Sequence, residues 1–216
     1  MENYSEVREH LDYPKLTMFQ MVERMADAYP NYPAYEFYGR KTTYKQFVNR
    51  IERAARAFRA SGIRRGDAVT ICMPNTPQAL DCFYALNRIG AICNMVHPLS
   101  AQKEITFYLD FSESRMILTM DMFYEKVDAA VQEAENPVTI LTARMQDELP
   151  LFKSIGFALT QGRKSHKYPN TDNGHLWTSF LTKGTPNVKL PKPVYDPKAT
   201  AAILYSGGTS GTPKGI

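Results

Sequence analysis

Cysteine, tryptophan and long apolar runs are all scarce in this chain of 216 residues. Its three cysteines, Cys72, Cys82 and Cys93, form no Cys-x-x-Cys pair and lie among apolar neighbours. We therefore expect buried free thiols and neither a disulfide nor a metal site. No apolar stretch approaches the roughly 18 residues that a membrane-spanning helix needs, and the polar, acidic first residues lack the features of a secretory signal. Together these absences predict a cytoplasmic protein without a transmembrane segment.

Two common nucleotide-binding motifs are missing as well. The Walker loop requires Ser or Thr directly after its Gly-Lys pair, whereas here Lys214 stands between Pro213 and Gly215. No segment has the three spaced glycines and the later acidic residue of a dinucleotide fold. In their place, an apolar run over 201–205 leads into a loop of glycines and hydroxyl residues.

This loop has the chemistry of a phosphate-binding site. Glycines let backbone N–H groups face an anion without a Cβ in the way, and Ser and Thr add hydroxyl donors. A lysine adds a positive charge on a long side chain that can follow a phosphate chain. The alternative is a flexible linker, but a linker does not normally follow a buried strand or end in Pro-Lys-Gly. The candidate phosphate-binding residues are Ser206, Gly207, Gly208, Thr209, Ser210, Gly211, Thr212 and Lys214.

The first 145 residues alternate between helical periodicity and short apolar runs, which predicts an α/β fold with a mainly parallel sheet flanked by helices. Such sheets bind ligands at the carboxyl ends of their strands. Helices are predicted to begin at caps Thr17, Thr43, Thr76 and Ser100 and at Asp121. A hairpin is predicted over 34–38 and 41–43, and strands over 67–73, 91–96, 115–120 and 137–143. We also expect a helix over 172–183 around Trp177, and core positions for Phe83, Tyr84, Phe107, Tyr108 and Phe111.

The terminal motif resembles the phosphate loop of the adenylate-forming enzymes: acyl- and aryl-CoA synthetases, luciferases and peptide-synthetase adenylation domains. Their usual form is Tyr-Thr-Ser-Gly-Thr-Thr-Gly-x-Pro-Lys-Gly, from which this chain departs at Ser206, Gly207 and Ser210. Gly207 gives a Gly-Gly version that is similar to that of many fatty acyl-CoA synthetases. Two weaker segments, 43–47 and 85–99, resemble the family's Thr-Tyr-x-Glu-Leu and Gly-Ala…Pro-Leu motifs.

The resemblance implies that residues 1–216 form the N-terminal portion of an AMP-binding synthetase domain. Its core would cover about 17–143, a basic connector about 145–199, and the last strand and phosphate loop 200–216. The implied activity is that of an AMP-forming acid-thiol ligase, with ATP, Mg²⁺ and CoA as cofactors and a carboxylic acid, a fatty acid above all, as substrate. The family's adenine-stacking and magnesium-holding motif, its ribose-binding aspartate and its lysine-bearing lid are missing from this sequence. We therefore expect the chain alone to be inactive and to hold no cofactor, and we assign it no catalytic residue and no metal ligand.

Two alternatives stay open. One is an adenylation domain that loads a carrier protein, and the other is a non-catalytic anion-binding or interaction module. Nucleic-acid binding is not expected, because four arginines that recur every third residue, Arg50, Arg53, Arg56 and Arg59, are typical of a solvated helix face. Residues 151–216 carry 9 basic and 2 acidic side chains. This excess could attract ATP and CoA or could belong to a solvated loop, and the sequence does not decide between them.

Overall fold

The computed structural model describes residues 13–150, 174–206 and 214–216. In chain order the elements are α1 (Met18–Ala28), β1 (Pro33–Phe37), β2 (Arg40–Thr43), α2 (Tyr44–Ala60), β3 (Ala68–Cys72), α3 (Pro77–Ile89), β4 (Ile92–Met95), α4 (Gln102–Ser112), β5 (Met116–Met120), α5 (Tyr124–Gln132), β6 (Thr139–Ala143), β7 (Gly174–Leu176), α6 (Trp177–Phe180), β8 (Ala202–Ile203), β9 (Tyr205–Ser206) and β10 (Lys214–Gly215). The predicted helix–strand alternation is confirmed over the whole of the first stretch.

Six of these strands form one sheet in the order β7-β6-β5-β3-β4-β8, and every described pair in it is parallel. The predicted α/β fold with a mainly parallel sheet is therefore confirmed. The strands were recognisable because both faces of such a sheet are covered, which makes its central strands continuously apolar. All five residues of β3 and of β5 are buried.

Neighbouring residues of each central strand point into two different hydrophobic clusters. Ile71, Leu118 and Leu141 belong to the cluster that receives α1, α2, α3 and α6. One chain neighbour of each, Cys72, Ile117 and Ile140, belongs to the cluster that receives α4 and α5. This alternation is the two-residue period of a β-strand, and it makes the molecule a helix–sheet–helix sandwich.

Most predicted helix starts are confirmed by their hydrogen bonds. Thr17 and Thr43 each form a capping box with the glutamine three residues later. Thr76 caps α3, and Gly90 ends that helix in a left-handed conformation. Ser100 was the wrong cap for α4, since the N-cap is Ala101, whose N–H donates to the Glu104 carboxylate at 2.9 Å. The Ser100 N–H instead donates to the His97 carbonyl and closes a turn.

Three other expectations were wrong in part. The helix predicted from Asp121 starts as a 3-10 turn over Asp121–Phe123 and becomes α-helical at Tyr124. Of the helix predicted over 172–183, residues 174–176 form β7, because an edge of the sheet beside β6 accepts a parallel strand there. The rest is confirmed as helical by α6 and a 3-10 turn over Leu181–Lys183, and residues 172–173 lie outside the described part of the chain. Trp177 nonetheless packs in the core against Phe58. Among the aromatic residues expected in the core, Phe107 is 36% and Phe111 is 55% exposed.

The arginine stripe of α2 is not uniformly solvated, because Arg50 faces α3. Its Nε donates to the Asp81 carboxylate at 2.8 Å, and its Nη1 donates to Glu148 at 3.1 Å. Asp81 and Glu148 are both buried, and burial raises the pKa of Asp81 to about 6 although the Arg50 cation works in the opposite direction. The Arg50 guanidinium therefore compensates two carboxylates between α2, α3 and the turn after β6, and Arg40 Nη1 adds a longer contact of 3.9 Å to Glu148.

We expect Arg50→Met to destabilise the chain by about 3–5 kcal/mol at pH 7.5, because it leaves the buried Asp81 carboxylate without its cation. The penalty should shrink at pH 5. Arg50 lowers the pKa of Asp81, so its removal raises the pKa of Asp81 in the folded state further. A carboxyl whose pKa is raised by folding stabilises the folded state below its unfolded-state pKa of about 3.9, and this stabilisation is lost as the pH rises through its folded-state pKa.

Urea unfolding at both pH values measures the effect. The matched control is Arg56→Met, since Arg56 on the same helix pairs with Glu52 one turn away at 2.7 Å, and this change should cost less than about 1 kcal/mol. Equal penalties for Arg50→Met at pH 5 and pH 7.5 would contradict the charge argument.

Candidate functional site

The candidate phosphate loop begins where the chain leaves the sheet. Strand β8 pairs with β4 in the register Cys93↔Ala202 and Asn94↔Ile203. One residue later, β9 pairs in antiparallel fashion with β10, with Ser206 opposite Lys214 and Tyr205 opposite Gly215. Backbone hydrogen bonds of 3.0 and 2.8 Å between Leu204 and Ile216 continue this pairing. The two ends of the loop are thus held side by side at the carboxyl end of a parallel sheet, the usual place for ligands in this architecture.

The structure brings two of the eight candidate site residues together directly. Ser206 and Lys214 are cross-strand partners, so both ends of the candidate set lie at one place. The other six, Gly207, Gly208, Thr209, Ser210, Gly211 and Thr212, lie outside the described residues, and their assignment to phosphate stays a prediction.

The strand that leads into the loop is less buried than its apolar sequence suggested. Leu204 is 58% exposed, and Ala202 and Ile203 are half-buried. The physical reason is position, because β8 is the last strand of the sheet and, in the described part of the chain, pairs on one side only. The expectation of a buried strand before the loop was therefore wrong, although the strand itself is present.

Tyr205 anchors the first end of the loop to the sheet. Its ring stacks on Tyr108 with centroids 3.9 Å apart, and its hydroxyl donates to Asn94 Oδ1 at 2.7 Å. Burial, with a smaller contribution from Tyr108, raises the pKa of Tyr205 to about 12. The phenol therefore keeps its proton, and with it the donor of this hydrogen bond, at neutral pH.

Asn94 is completely buried on β4, and both ends of its amide are engaged. Its Nδ2 donates to Thr70 Oγ1 at 2.8 Å, to Ser112 Oγ at 2.9 Å and to the Tyr108 carbonyl at 3.1 Å. Its Oδ1 is left to accept from Tyr205. The amide thus connects the middle of the sheet and the end of α4 to the entrance of the candidate loop.

Gly215 fixes the second end of the loop by a close approach. A Cβ at this position would lie 2.8 Å from the Phe111 ring and 3.3 Å from the Ile203 side chain. Only a residue without a side chain lets β10 reach β9 over Phe111. This contact also accounts for the position of Phe111 at the surface, since its ring packs beside Tyr205 and β10 and not in the core.

The sequence interpretation missed Asn94, Tyr108 and Phe111 as parts of this site. A usable signal existed for Asn94, because an amide stands in the middle of the otherwise apolar run 91–96 and a buried amide needs partners. No comparable signal marks Phe111, which looks like an ordinary helix residue in the sequence.

Neither a metal cluster nor a membrane helix is evident in the described residues. Across 13–150, 174–206 and 214–216, no group of three or more His, Cys, Asp or Glu side chains could hold a metal ion. No helix in the same ranges is both long and apolar enough to cross a bilayer. The three cysteines are free and buried, as expected.

Comparison with known proteins agrees with the family that the terminal motif resembles. The family model described as "AMP-binding enzyme" matches residues 22–216. A long-chain-fatty-acid–CoA ligase of Bacillus subtilis is 28% identical over 98% of this chain and 38% of its own length. A crotonobetaine/carnitine–CoA ligase of Proteus mirabilis is 26% identical over 91% of this chain and 35% of its own length. The chain thus spans well under half of these relatives.

A solved structure shares the fold at low sequence identity. The crystal structure of a long-chain-fatty-acid-CoA ligase from Archaeoglobus fulgidus matches with a TM-score of 0.69 at 20% identity, covering 95% of this chain and 37% of that one.

Removing the Tyr205 hydroxyl tests the anchor. We expect Tyr205→Phe to destabilise the chain by about 1–3 kcal/mol, because the buried Asn94 Oδ1 loses its donor. The pairing of Leu204 with Ile216 should loosen, so the Ile216 amide should exchange hydrogen faster.

Urea unfolding and amide exchange measured by NMR report these two effects. Tyr195→Phe is the control, since Tyr195 is 39% exposed and lies in the segment that precedes β8. It should change the free energy of unfolding by less than about 0.5 kcal/mol. Unchanged stability together with unchanged Ile216 exchange in Tyr205→Phe would rule out an anchoring role.

Proposed function

The chain belongs to the AMP-binding enzyme family, and from this premise we propose that it is the N-terminal portion of an AMP-forming acyl-CoA ligase. The substrates would be a carboxylic acid, ATP and coenzyme A. The observation that carries the proposal is the pairing of Ser206 with Lys214, the two ends of the candidate loop, at the carboxyl edge of the parallel sheet. This chain's part in the reaction would be to hold the triphosphate.

The proposed reaction has two steps, in which atoms and charges balance. A carboxylate oxygen attacks the α-phosphorus of ATP, the bond to the bridging oxygen breaks, and pyrophosphate leaves, so that an acyl-adenylate forms. The sulfur of coenzyme A then attacks the acyl carbon, its thiol proton is lost, and AMP leaves with the electron pair of the acyl–oxygen bond. The first step is difficult because an anion must approach a polyanion.

Donors fixed around the β- and γ-phosphates would lower this barrier, because they stabilise the charge that moves onto the leaving pyrophosphate. We propose that the glycines of the loop expose backbone N–H groups and that its hydroxyls and lysine supply side-chain donors. In this proposal the hydroxyl and ammonium donors are Ser206, Thr209, Ser210, Thr212 and Lys214, and the open backbone belongs to Gly207, Gly208 and Gly211. A magnesium ion bound with ATP would neutralise part of the phosphate charge, and we assign none of the described residues to it.

The pairing of β9 with β10 gives these donors a fixed frame. A loop whose ends are held together loses less conformational entropy when it closes around an anion than a free segment does. Tyr205, through Asn94, and Gly215, through Phe111, hold the frame on the sheet. The fixed position of the two ends therefore supports a phosphate-binding segment and not a linker.

We further propose a fatty acid as substrate, coenzyme A as acceptor and the cytoplasm as location. A relative of 28% identity is named a long-chain-fatty-acid–CoA ligase, and the Gly-Gly form of the motif resembles fatty acyl-CoA synthetases. The names of the relatives favour coenzyme A over a carrier protein. Three buried thiols without a disulfide are compatible with a reducing compartment.

Exchange of labelled pyrophosphate into ATP, dependent on a fatty acid, tests the function in the full-length protein. We expect Lys214→Ala to reduce exchange by about 10- to 100-fold, the cost of one charge-assisted hydrogen bond to phosphate. Lys198→Ala is the control, because Lys198 is exposed just before β8; its exchange should equal that of the wild type.

The 216-residue chain assayed alone sets the baseline, and we expect no exchange from it, since the relatives carry more than half of their length beyond the matched part. Absence of exchange from the full-length protein with any carboxylic acid would favour a non-catalytic anion-binding module. Normal exchange in Lys214→Ala would remove lysine from the phosphate-holding role.

A further inference from the structure

A second concentration of positive charge surrounds a cavity far from the candidate loop. The cavity has a volume of about 320 Å³ and is walled by the C-terminal ends of α2 and α3, the connection into β3, and the extended segment 191–194. Five cationic side chains and no carboxylate of the described residues line it: Arg59, Arg64, Arg65, Arg88 and Lys192.

Two of these five cations have an acidic partner among the residues that the structure describes. Arg88 pairs with Glu52 at 2.9 Å, and Arg65 lies 3.5 Å from Asp196. Within the described ranges, no carboxylate lies in salt-bridge distance of Arg59, Arg64 or Lys192. Three uncompensated charges therefore face one concave space, where low-dielectric walls focus their field.

The guanidinium groups are held in place by neutral backbone atoms. Arg59 Nη1 donates to the Ile63 carbonyl at 3.1 Å, and Arg64 Nη1 donates to the Arg59 carbonyl at 3.2 Å. Arg88 Nη1 donates to the Pro191 carbonyl and so ties the extended segment to α3. Each guanidinium has five N–H groups, so these bonds orient the groups and leave donors for a ligand.

Gly90 completes the wall by letting Arg65 lie against it. Its φ of 74° is left-handed, and a Cβ there would lie 3.1 Å from the Arg65 Cγ. The Gly66 N–H donates to the Gly90 carbonyl at 2.9 Å and links the two loops that carry this contact. The side chain of Arg65 is thus directed along the cavity by a glycine that has room for it.

Helix capping accounts for part of this arrangement only. The C-terminal end of a helix attracts cations, which explains why Arg59 and Arg64 bond carbonyls near the end of α2. Within the described part of the chain, neither Arg65 nor Lys192 bonds a carbonyl at a helix end, since Arg65 reaches Asp196 and Lys192 is exposed. The cavity therefore contains more cationic side chains than helix capping explains, and this composition is that of an anion-binding site.

The cavity cannot be the candidate phosphate loop seen from another side. Arg65 and Gly90 precede β3 and β4, so the cavity lies at the amino ends of these strands. The loop follows β8, which runs parallel to β4, and therefore lies at the carboxyl ends. We propose that this cavity binds a small anion that carries at least two phosphate groups. Planar guanidinium groups bind phosphate oxygens in pairs, and the volume suits a diphosphate group and not a macromolecule.

Titration of the 216-residue chain with pyrophosphate, followed by NMR, tests the proposal. The amide resonances of Gly66 and Gly90 should shift on saturation, and inorganic phosphate should bind more weakly than pyrophosphate. The double variant Arg64→Gln, Lys192→Gln should weaken binding at least about tenfold, because it removes two charge-assisted contacts from exposed positions.

The control is Lys45→Gln, Lys103→Gln, which lowers the net charge equally at exposed positions on α2 and α4, away from the cavity. It should bind pyrophosphate like the wild type, and so should Lys214→Ala when followed at Gly66 and Gly90. Equal loss in the control would reduce the effect to net charge. Loss of pyrophosphate binding in Lys214→Ala, with normal binding in the double variant, would place pyrophosphate at the candidate phosphate loop. Each of these two results would overturn the proposal, and so would the absence of a shift at Gly66 and Gly90. The proposal does not depend on the ligase function, because its test measures the Gly66 and Gly90 amides and not pyrophosphate exchange.

Discussion

One buried amide, the side chain of Asn94, determines where the candidate loop begins. An amide in the interior costs about 1–3 kcal/mol for each polar atom left without a partner. Thr70, Ser112 and the Tyr108 carbonyl satisfy its nitrogen, so its oxygen must find a donor from another element. Tyr205 supplies that donor from the strand beside β4. The same bond that satisfies the core thereby sets the point at which the chain leaves the sheet.

The parallel sheet separates the candidate phosphate loop from the proposed anion-binding cavity. All six strands point the same way, so one rim collects strand ends and the other collects strand beginnings. A strand of five residues, such as β3, spans roughly 16 Å, and an anion at one rim cannot contact residues at the other. The segment from 191 to 206 joins the rims, since its first residues wall the cavity and its last enter the loop. If both proposals hold, the two sites could therefore bind their anions at once in the same molecule.

Features that depend on neighbouring residues were predictable from the sequence, and features that depend on distant residues were not. The caps at Thr17 and Thr43 need only a glutamine three residues later, and both are present. The exposure of Leu204 depends on the sheet having no further strand beside β8 in the described chain. The bond from Tyr205 to Asn94 joins residues 111 positions apart. No local pattern encodes such a pairing, although the lone amide in an apolar strand indicates that one must exist.

The arginines of α2 show how a regular spacing can mislead. Each residue of an α-helix turns by about 100°, so a step of three residues turns by about 300° and the stripe drifts backwards by about 60° per step. Over the nine residues from Arg50 to Arg59 the drift reaches about 180°, and the two ends of the stripe face opposite sides of the helix. Arg50 therefore meets Asp81 of α3, whereas Arg59 lies at the basic cavity. Between them, Arg56 pairs along the helix with Glu52. The periodicity identified a helix correctly, but it could not assign one environment to all four arginines, because a three-residue repeat does not stay on one face.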